Sequence, residues 1–523
     1  MNPALSRQLA VADAAMKETG ESQGAVAPTA KAPPAPAEGP PPPVAAAPVQ
    51  AEGAPATSAK GEGKKGRPEI DYLEVADKFA EWLGAPPRHY RGEWWVYAKE
   101  RAYILQSEKE LQGRFAAFAD AKAVKLTVNL RRNVFEALLK HFVEGEKTMP
   151  RWLDSGQSAR GWAAMQNGLL DIEEAARNPL GVQLLPHSPD FFGSYSFPFA
   201  WDPNARAPLF AAYLEGVQPD EESRRVLLKL LGLLLVPDTS FQCCFILYGE
   251  AGCGKSVFIQ VAQALLGRKN VCSIPLAMFA EKFATVDLSR CLANLVDDSP
   301  TVDGRTTLAT VEGVLKEVTC GGDVWCELKG VQGRSYPATA RCVFCQNPPL
   351  PVFADRSNGI WRRLRIIPFC QPFDNSPERN PKLAEDIIAH ELPGVFVMAL
   401  RGLGWLRDEN ADGHFPETPE GARLLEEHRA ACDKEAAFLR DKCREDALRS
   451  VSSESLYGDY KAWCNENGYS RGCKNAANFA ADVRRVFPNV ILKRVRIGSG
   501  KRETRWEGLA MQDPMDDDEP DLL

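Results

Sequence analysis

Gly249, Gly254, Lys255 and Ser256 stand at the spacing G-x-x-x-x-G-K-[ST] within "LYGEAGCGKSVFIQVAQALLG". The chemistry served by this spacing is the grip on a triphosphate. The preceding "QCCFILY" is short, apolar and bulky, as a buried strand is. The following run carries apolar residues at helical spacing and ends on Gly267, a C-cap candidate. Between strand and helix, the loop Gly249, Glu250, Ala251, Gly252, Cys253, Gly254 can turn backbone N–H groups onto phosphate oxygens, with Val257 in the first helical turn. Lys255 would reach the β- and γ-phosphates, and the Ser256 hydroxyl would ligate Mg²⁺. The expected ligands are ATP and Mg²⁺. Cys253, beside Lys255 and a helix N-terminus, is expected to be a reactive thiolate.

Hydrolysis also needs acidic groups at the C-terminal end of a neighbouring strand, where parallel sheets collect ligands. "RCLANLVDDSP" supplies Asp297, assigned to the metal, and Asp298, assigned to polarising the attacking water; the two roles can exchange. "TARCVFCQNPP" is a further strand ending in Asn347, suited to sensing the γ-phosphate or orienting water. "NGIWRRLRIIPF" sets Arg362 and Arg363 before another strand, where one of them fits an arginine finger acting on a neighbour's ATP.

Such strands and helices call for an α/β fold with a parallel sheet, and 523 residues hold two to four domains. Residues 1–66 are low-complexity, rich in Pro and Ala, and are expected to be a disordered tether. The remaining divisions are expected as follows: a mixed α+β domain over 67–197, a helical collar over 198–235, the nucleotide core over 236–380 and a helical segment over 381–446. A winged-helix-like unit over 447–510 and an acidic tail over 511–523 complete the chain. Net charge is -7, which confines any nucleic-acid contact to local patches. No apolar run is long enough to span a bilayer and the N-terminus lacks a signal-peptide core, so a soluble cytoplasmic protein without membrane partners is expected. The 14 cysteines lie mostly in apolar runs, and the Cys342/Cys345 pair has no second pair to complete a zinc set, so neither structural metal nor disulfides are expected.

The order of blocks resembles the superfamily 3 helicases, most closely the phage and plasmid primase–helicase branch related to the poxvirus replicative helicase. The blocks are "NGLLDI", "LPHSPDFF", "WDPNARAPLFAAYL", the glycine loop, "PLAMFAEKFATVDLSRCLANLVDD", "LKEVTCGGD", "FCQNPPLPVFAD" and "IWRRLRIIPF", over roughly residues 160–375. The resemblance implies an AAA+-like core and a hexameric ring translocating 3′-to-5′ on single-stranded DNA in the cytoplasm of a bacterial host. Two positions depart from the family: Cys253 replaces its usual Asn, and Asp298 replaces the Glu of many relatives.

For DNA, "GGDVWCELKGVQGRSYPAT" reads as two strands around a turn at Gly330 to Gly333, carrying Lys329 and Arg334. In the family this hairpin enters the ring channel; an ordinary surface hairpin is the plain reading of the residues alone. The C-terminal region reads as helix, helix and basic hairpin. It concentrates Arg484, Arg485, Lys493, Arg494, Arg496, Lys501, Arg502 and Arg505, an expected DNA-binding face. The acidic tail is a candidate contact for replication proteins, or a solubilising end. The expected function is an ATP-dependent replicative DNA helicase, a homo-hexamer acting on single-stranded and forked DNA. The alternatives are a bifunctional primase–helicase and an origin-binding ATPase or loader that does not unwind.

Overall fold

The computed structural model describes residues 70–99, 102–144, 149–281, 284–298, 305–328, 331–353, 355, 358–373, 380–467, 473–496 and 502–512. The expectations placed on residues 1–66, on Lys329, on Lys501 and on the tail beyond 512 fall outside that range.

An α+β module comes first: α1 (Tyr72–Trp82), β1 (Arg88–Tyr90), β2 (Glu93–Ala98), β3 (Ala102–Gln106), α2 (Glu108–Ala121), α3 (Val128–Leu138) and β4 (Phe142–Val143). Its sheet runs β3–β2–β1–β4, with β4 parallel to β1 and the other pairs antiparallel. Phe79 of α1, Phe115 of α2 and Phe135 of α3 pack ring to edge. Each such pair adds about 0.5–1.5 kcal/mol beyond its buried area. Short strands follow, β5 (Arg151–Trp152), β6 (Trp162–Met165) and β7 (Gly168–Asp171), then α4 (Ile172–Arg177) and β8 (Phe191–Phe192).

Two collar helices, α5 (Pro208–Val217) and α6 (Glu221–Leu233), lead into the nucleotide core. The core comprises β9 (Cys244–Tyr248), α7 (Lys255–Leu266), β10 (Val271–Cys272), β11 (Ala293–Val296), α8 (Arg305–Thr319), the hairpin β12 (Asp323–Leu328) and β13 (Val331–Pro337), β14 (Arg341–Gln346), α9 (Asn358–Trp361) and β15 (Leu364–Pro368). Five of these strands form one parallel sheet in the order β10–β11–β14–β9–β15. Every residue of β11, β14 and β15 is buried, most of them apolar, as befits a sheet covered on both faces. The order matters for chemistry: β14, which leads to Asn347, separates the glycine-loop strand β9 from the acidic strand β11.

Helices α10 (Leu383–His390), α11 (Leu392–Glu409) and α12 (Pro419–Cys432) pack back on the collar and core. At Gly402 of α11 a Cβ would collide with the Leu228 carbonyl of α6, so the two helices approach backbone to backbone only because no side chain stands between them. Lys229 Nζ, buried on α6, reaches Glu409 (2.7 Å) and Asn410 (3.0 Å) at the far end of α11.

The last unit is α13 (Lys434–Lys442), β16 (Cys443–Ser452), α14 (Ser453–Glu466), α15 (Ala476–Val486), β17 (Ile491–Arg496) and β18 (Arg502–Met511), with sheet order β16–β18–β17. This is a winged helix, and it starts ahead of residue 447. Phe438 and Leu439 of α13 and Cys443 of β16 share one core with Tyr460, Phe479 and Trp506. Residues 434–446, expected to close a helical segment, thus supply the first helix and the start of the first strand of this domain.

Candidate nucleotide site and nucleic-acid surfaces

The glycine loop is shaped by its own residues and clamped by its neighbours. Gly254 sits at φ +90°, where a side chain is strained, and a Cβ there would press on Val217 of α5. Tyr213, one turn earlier on α5, donates its hydroxyl to the Gly254 carbonyl at 2.9 Å. Burial pushes that phenol well above its ordinary pKa, so it stays a protonated donor. Glu391 accepts from the Leu209 and Phe210 N–H groups at 3.0 Å each, satisfying orphan donors at the start of α5. From the other side, the Phe373 N–H donates to the Gly252 carbonyl at 3.1 Å. Sequence reasoning does not reach Tyr213, Glu391 or Phe373, since no local pattern marks them.

Lys255 opens α7 and is buried, its ammonium donating to the carbonyls of Gly249 and Glu250 at 2.7 Å each. It therefore bridges the loop with which it would share a phosphate. Glu250, Ala251, Gly252 and Ser256 are exposed, Gly249, Gly254 and Val257 half-buried. A turned-out hydroxyl on Ser256 and a glycine cradle at a helix N-terminus fit a magnesium-bound triphosphate.

Asp297 and Asp298 follow β11 directly and are exposed, and Asn347 follows β14 and is exposed too. The junction between them is Cys345 on β14. Burial first, and then the charge of Asp297 and a hydrogen bond to it, push its thiol up to about 12, while Lys255 pulls it the other way. A single buried thiol thus feels both the expected phosphate ligand and the expected metal ligand. Asp297 and Ser256 are the residues that would hold Mg²⁺, which supplies charge neutralisation when bound.

The two arginines part company. Arg362 is exposed, whereas Arg363 is buried and donates to the Gly359 carbonyl at 2.5 Å. The neighbourhood fixes this division. Trp361 is buried against Phe353 and His428, and its indole N–H donates to the Asp355 carbonyl at 2.9 Å. The Asp355 carboxylate meets Lys316 at 2.5 Å and accepts from the Ile360 N–H at 3.3 Å. With Trp361 pinned inward, Arg362 is the exposed member of the adjacent pair.

Cys253 needs a correction. It is 3% exposed and packs into the main core, so the thiol expected to meet a reagent is buried. Cys370 is the exposed cysteine among those described. Peptide mapping after brief treatment with a thiol reagent is therefore expected to find label at Cys370 before Cys253.

The β12–β13 hairpin pairs in antiparallel register, Cys326 opposite Arg334, and β13 already begins at Val331. Val331 to Gly333, expected in the turn, thus belong to β13. Arg334 lies exposed in the middle of β13 rather than in the turn.

In the winged helix the basic residues sort into two groups. Arg485 is bound to Asp433 (2.8 Å) and Asp482 (2.9 Å), tying α15 to the start of α13, and so is not a free surface cation. Arg505 donates to the Ser450 carbonyl (2.7 Å) and Glu503 (2.8 Å), and Lys493 pairs with Glu507 at 2.5 Å. Arg484 lies over the Trp506 ring at 5.5 Å. Arg494, Arg496 and Arg502 are exposed on one face of the β17–β18 hairpin, with Arg496 directly opposite Arg502. Like charges facing across a ladder destabilise it until an anion arrives.

A family model described as a family of unknown function (DUF5906) matches residues 247–363. One described as the RFX DNA-binding domain matches residues 433–512. Over 300 residues, 53% of this chain, the sequence is 23% identical to the "Putative helicase L207/L206" of Acanthamoeba polyphaga mimivirus, and the match spans 30% of that protein. The apo structure of the NrS-1 C-terminal region is similar at TM-score 0.52 and 12% identity, covering 84% of this chain and all of that one. A second apo form of the same region gives 0.50 and 12%, over 84% of this chain and 99% of that one. These likenesses establish the fold of the core and its neighbours, and the second family match agrees with the winged helix. The mimivirus match and these folds are consistent with the resemblance to the superfamily 3 primase–helicases.

Proposed function

We propose that this chain is an ATP-driven DNA helicase that works as a homo-hexameric ring on single-stranded and forked DNA. The observation that carries the reading is the arrangement of the glycine loop with buried Lys255 after β9, Asn347 after β14 and Asp297 after β11, three adjacent strands of one parallel sheet. Lys255 and the loop amides hold phosphates, Asp297 and Ser256 hold Mg²⁺, and Asp298 and Asn347 orient water. Arg362 reaches an adjoining subunit. The hairpin of Lys329 and Arg334 contacts the strand inside the ring, and the winged helix contacts duplex. Unwinding of a forked duplex, with ATP and with a non-hydrolysable analogue, tests this. ATP-dependent DNA binding without strand separation would favour the loader reading, and primer synthesis on single-stranded template would favour the primase–helicase.

Two mutational outcomes follow for the basic residues of the winged helix. The triple variant Arg494→Ala, Arg496→Ala, Arg502→Ala is expected to weaken duplex binding and to reduce the slope of log K against log salt by about 0.9 for each phosphate no longer neutralised. Arg485→Ala is expected instead to lower thermal stability, because it unties Asp433 from α15 and leaves the buried Asp482 with Lys474 alone. Fluorescence anisotropy across a salt series and a melting curve separate the two. A truncation meant to remove the domain should cut before 433, since cutting at 447 strands the apolar face of α13.

A further inference from the structure

Outside the nucleotide site, the described residues enclose a cavity of about 60 Å³ where the β12–β13 hairpin root meets the N-terminal module. Three guanidiniums from three separate elements line it: Arg91 from the β1–β2 turn, Arg290 from the segment before β11 and Arg334 from β13. One lining carboxylate, Glu93, meets Arg290 at 2.9 Å, and Asp287 stands 4.0 Å from Arg290 outside the lining. Among the described residues that line the cavity, three are arginines and one is a carboxylate.

The placement of Arg91 is itself a signal. Its backbone has φ 53°, an uncommon conformation for a residue with a side chain, and its guanidinium lies 4.1 Å from the Tyr336 ring centroid and 5.0 Å from that of Tyr90. The turn is strained and the side chain is held between aromatic faces at the cavity wall. Trp95 lines the same space, and its buried indole N–H finds no acceptor among the described residues. A buried donor of that kind calls for an acceptor that the protein does not supply.

We propose that this cavity binds a phosphate group, so that one oxyanion joins the N-terminal module, the segment before β11 and the root of the hairpin. Size and chemistry both point there. The volume suits one tetrahedral anion rather than a whole nucleotide, and planar guanidiniums with indole and hydroxyl donors match its oxygens. The group arrives either as free inorganic phosphate or as a phosphodiester of a nucleic-acid strand. The strand source rests on the DNA reading above; the pocket itself does not.

The test uses the full chain carrying Lys255→Ala, which removes the loop ligand that would otherwise compete for phosphate. Isothermal titration with inorganic phosphate at constant ionic strength is expected to give one saturable site. Arg91→Gly suits the positive φ, and Arg334→Gln changes an exposed strand residue; each is expected to weaken that site about tenfold or more, as loss of a charged hydrogen bond does. Melting temperatures are to be recorded alongside, so that a folding defect is recognised. Competition by a short oligodeoxythymidine identifies a strand phosphodiester as the source, and phosphate binding untouched by it identifies free phosphate. Absence of saturable binding, or binding equal in the parent and both folded variants, overturns the site. Neither of those results bears on ATP-driven unwinding, which is measured separately with Lys255 intact.

Discussion

Lys255→Ala is expected to cut ATP turnover a hundredfold or more and to abolish unwinding. On the proposed reading the ammonium neutralises phosphate charge, and loss of a single preorganised donor of that kind costs about two to three orders of magnitude. The structure adds a second effect that an open loop would not have. Lys255 is buried and holds the Gly249 and Glu250 carbonyls at 2.7 Å, so its removal also unties the loop. A loss of about 1–3 kcal/mol of stability is therefore expected along with the loss of activity. Phosphate release, nucleotide binding and a denaturant melt separate the two. Near-normal hydrolysis by a folded Lys255→Ala protein would remove the nucleotide site from this loop.

The nucleotide core was legible because its signals are local. "QCCFILY", "RCLANLV" and "TARCVFCQ" became β9, β11 and β14, since an apolar run of strand length between polar turns has few other folds available. Helix α2 went unread although Ser107 and Glu110 form a capping box at its start; the pattern S-x-x-E was there to find. Strand β16 had no comparable mark. Its sequence "CREDALRSVS" is mostly polar, because it is an edge strand with its side chains largely toward solvent. Tertiary contacts were beyond reach for a different reason. Nothing near Tyr213 in the chain announces a hydroxyl bound to Gly254, 41 residues away. The winged-helix arginines show the converse: a cluster of like charge in sequence became ion pairs at Arg485 and Arg505, because acidic partners lay on other elements or two residues along the same strand.

Arg362→Ala and Arg363→Ala are expected to fail in different ways, and the difference tests the ring. Arg363 is buried against the Gly359 carbonyl, so its loss should lower stability and expression first. Arg362 is exposed beside a pinned Trp361, so its loss should leave the fold and nucleotide binding intact. If Arg362 completes a neighbour's site, hydrolysis should fall by a factor on the order of a thousand. Mixing decides whether it acts across subunits. Arg362→Ala protein keeps its glycine loop, and Lys255→Ala protein keeps its arginine; each alone is inactive. In a mixed assembly some interfaces pair an intact loop with an intact Arg362, and part of the ATPase should return. An arginine acting within its own subunit gains nothing from the mixture, since no chain then holds both groups. Co-assembly is verified by pulling one tagged variant down with the other. Silence from a mixture that has demonstrably co-assembled would argue that each site is complete in one chain, leaving the nucleotide chemistry in place but removing the physical reason for a ring to fire its subunits in turn.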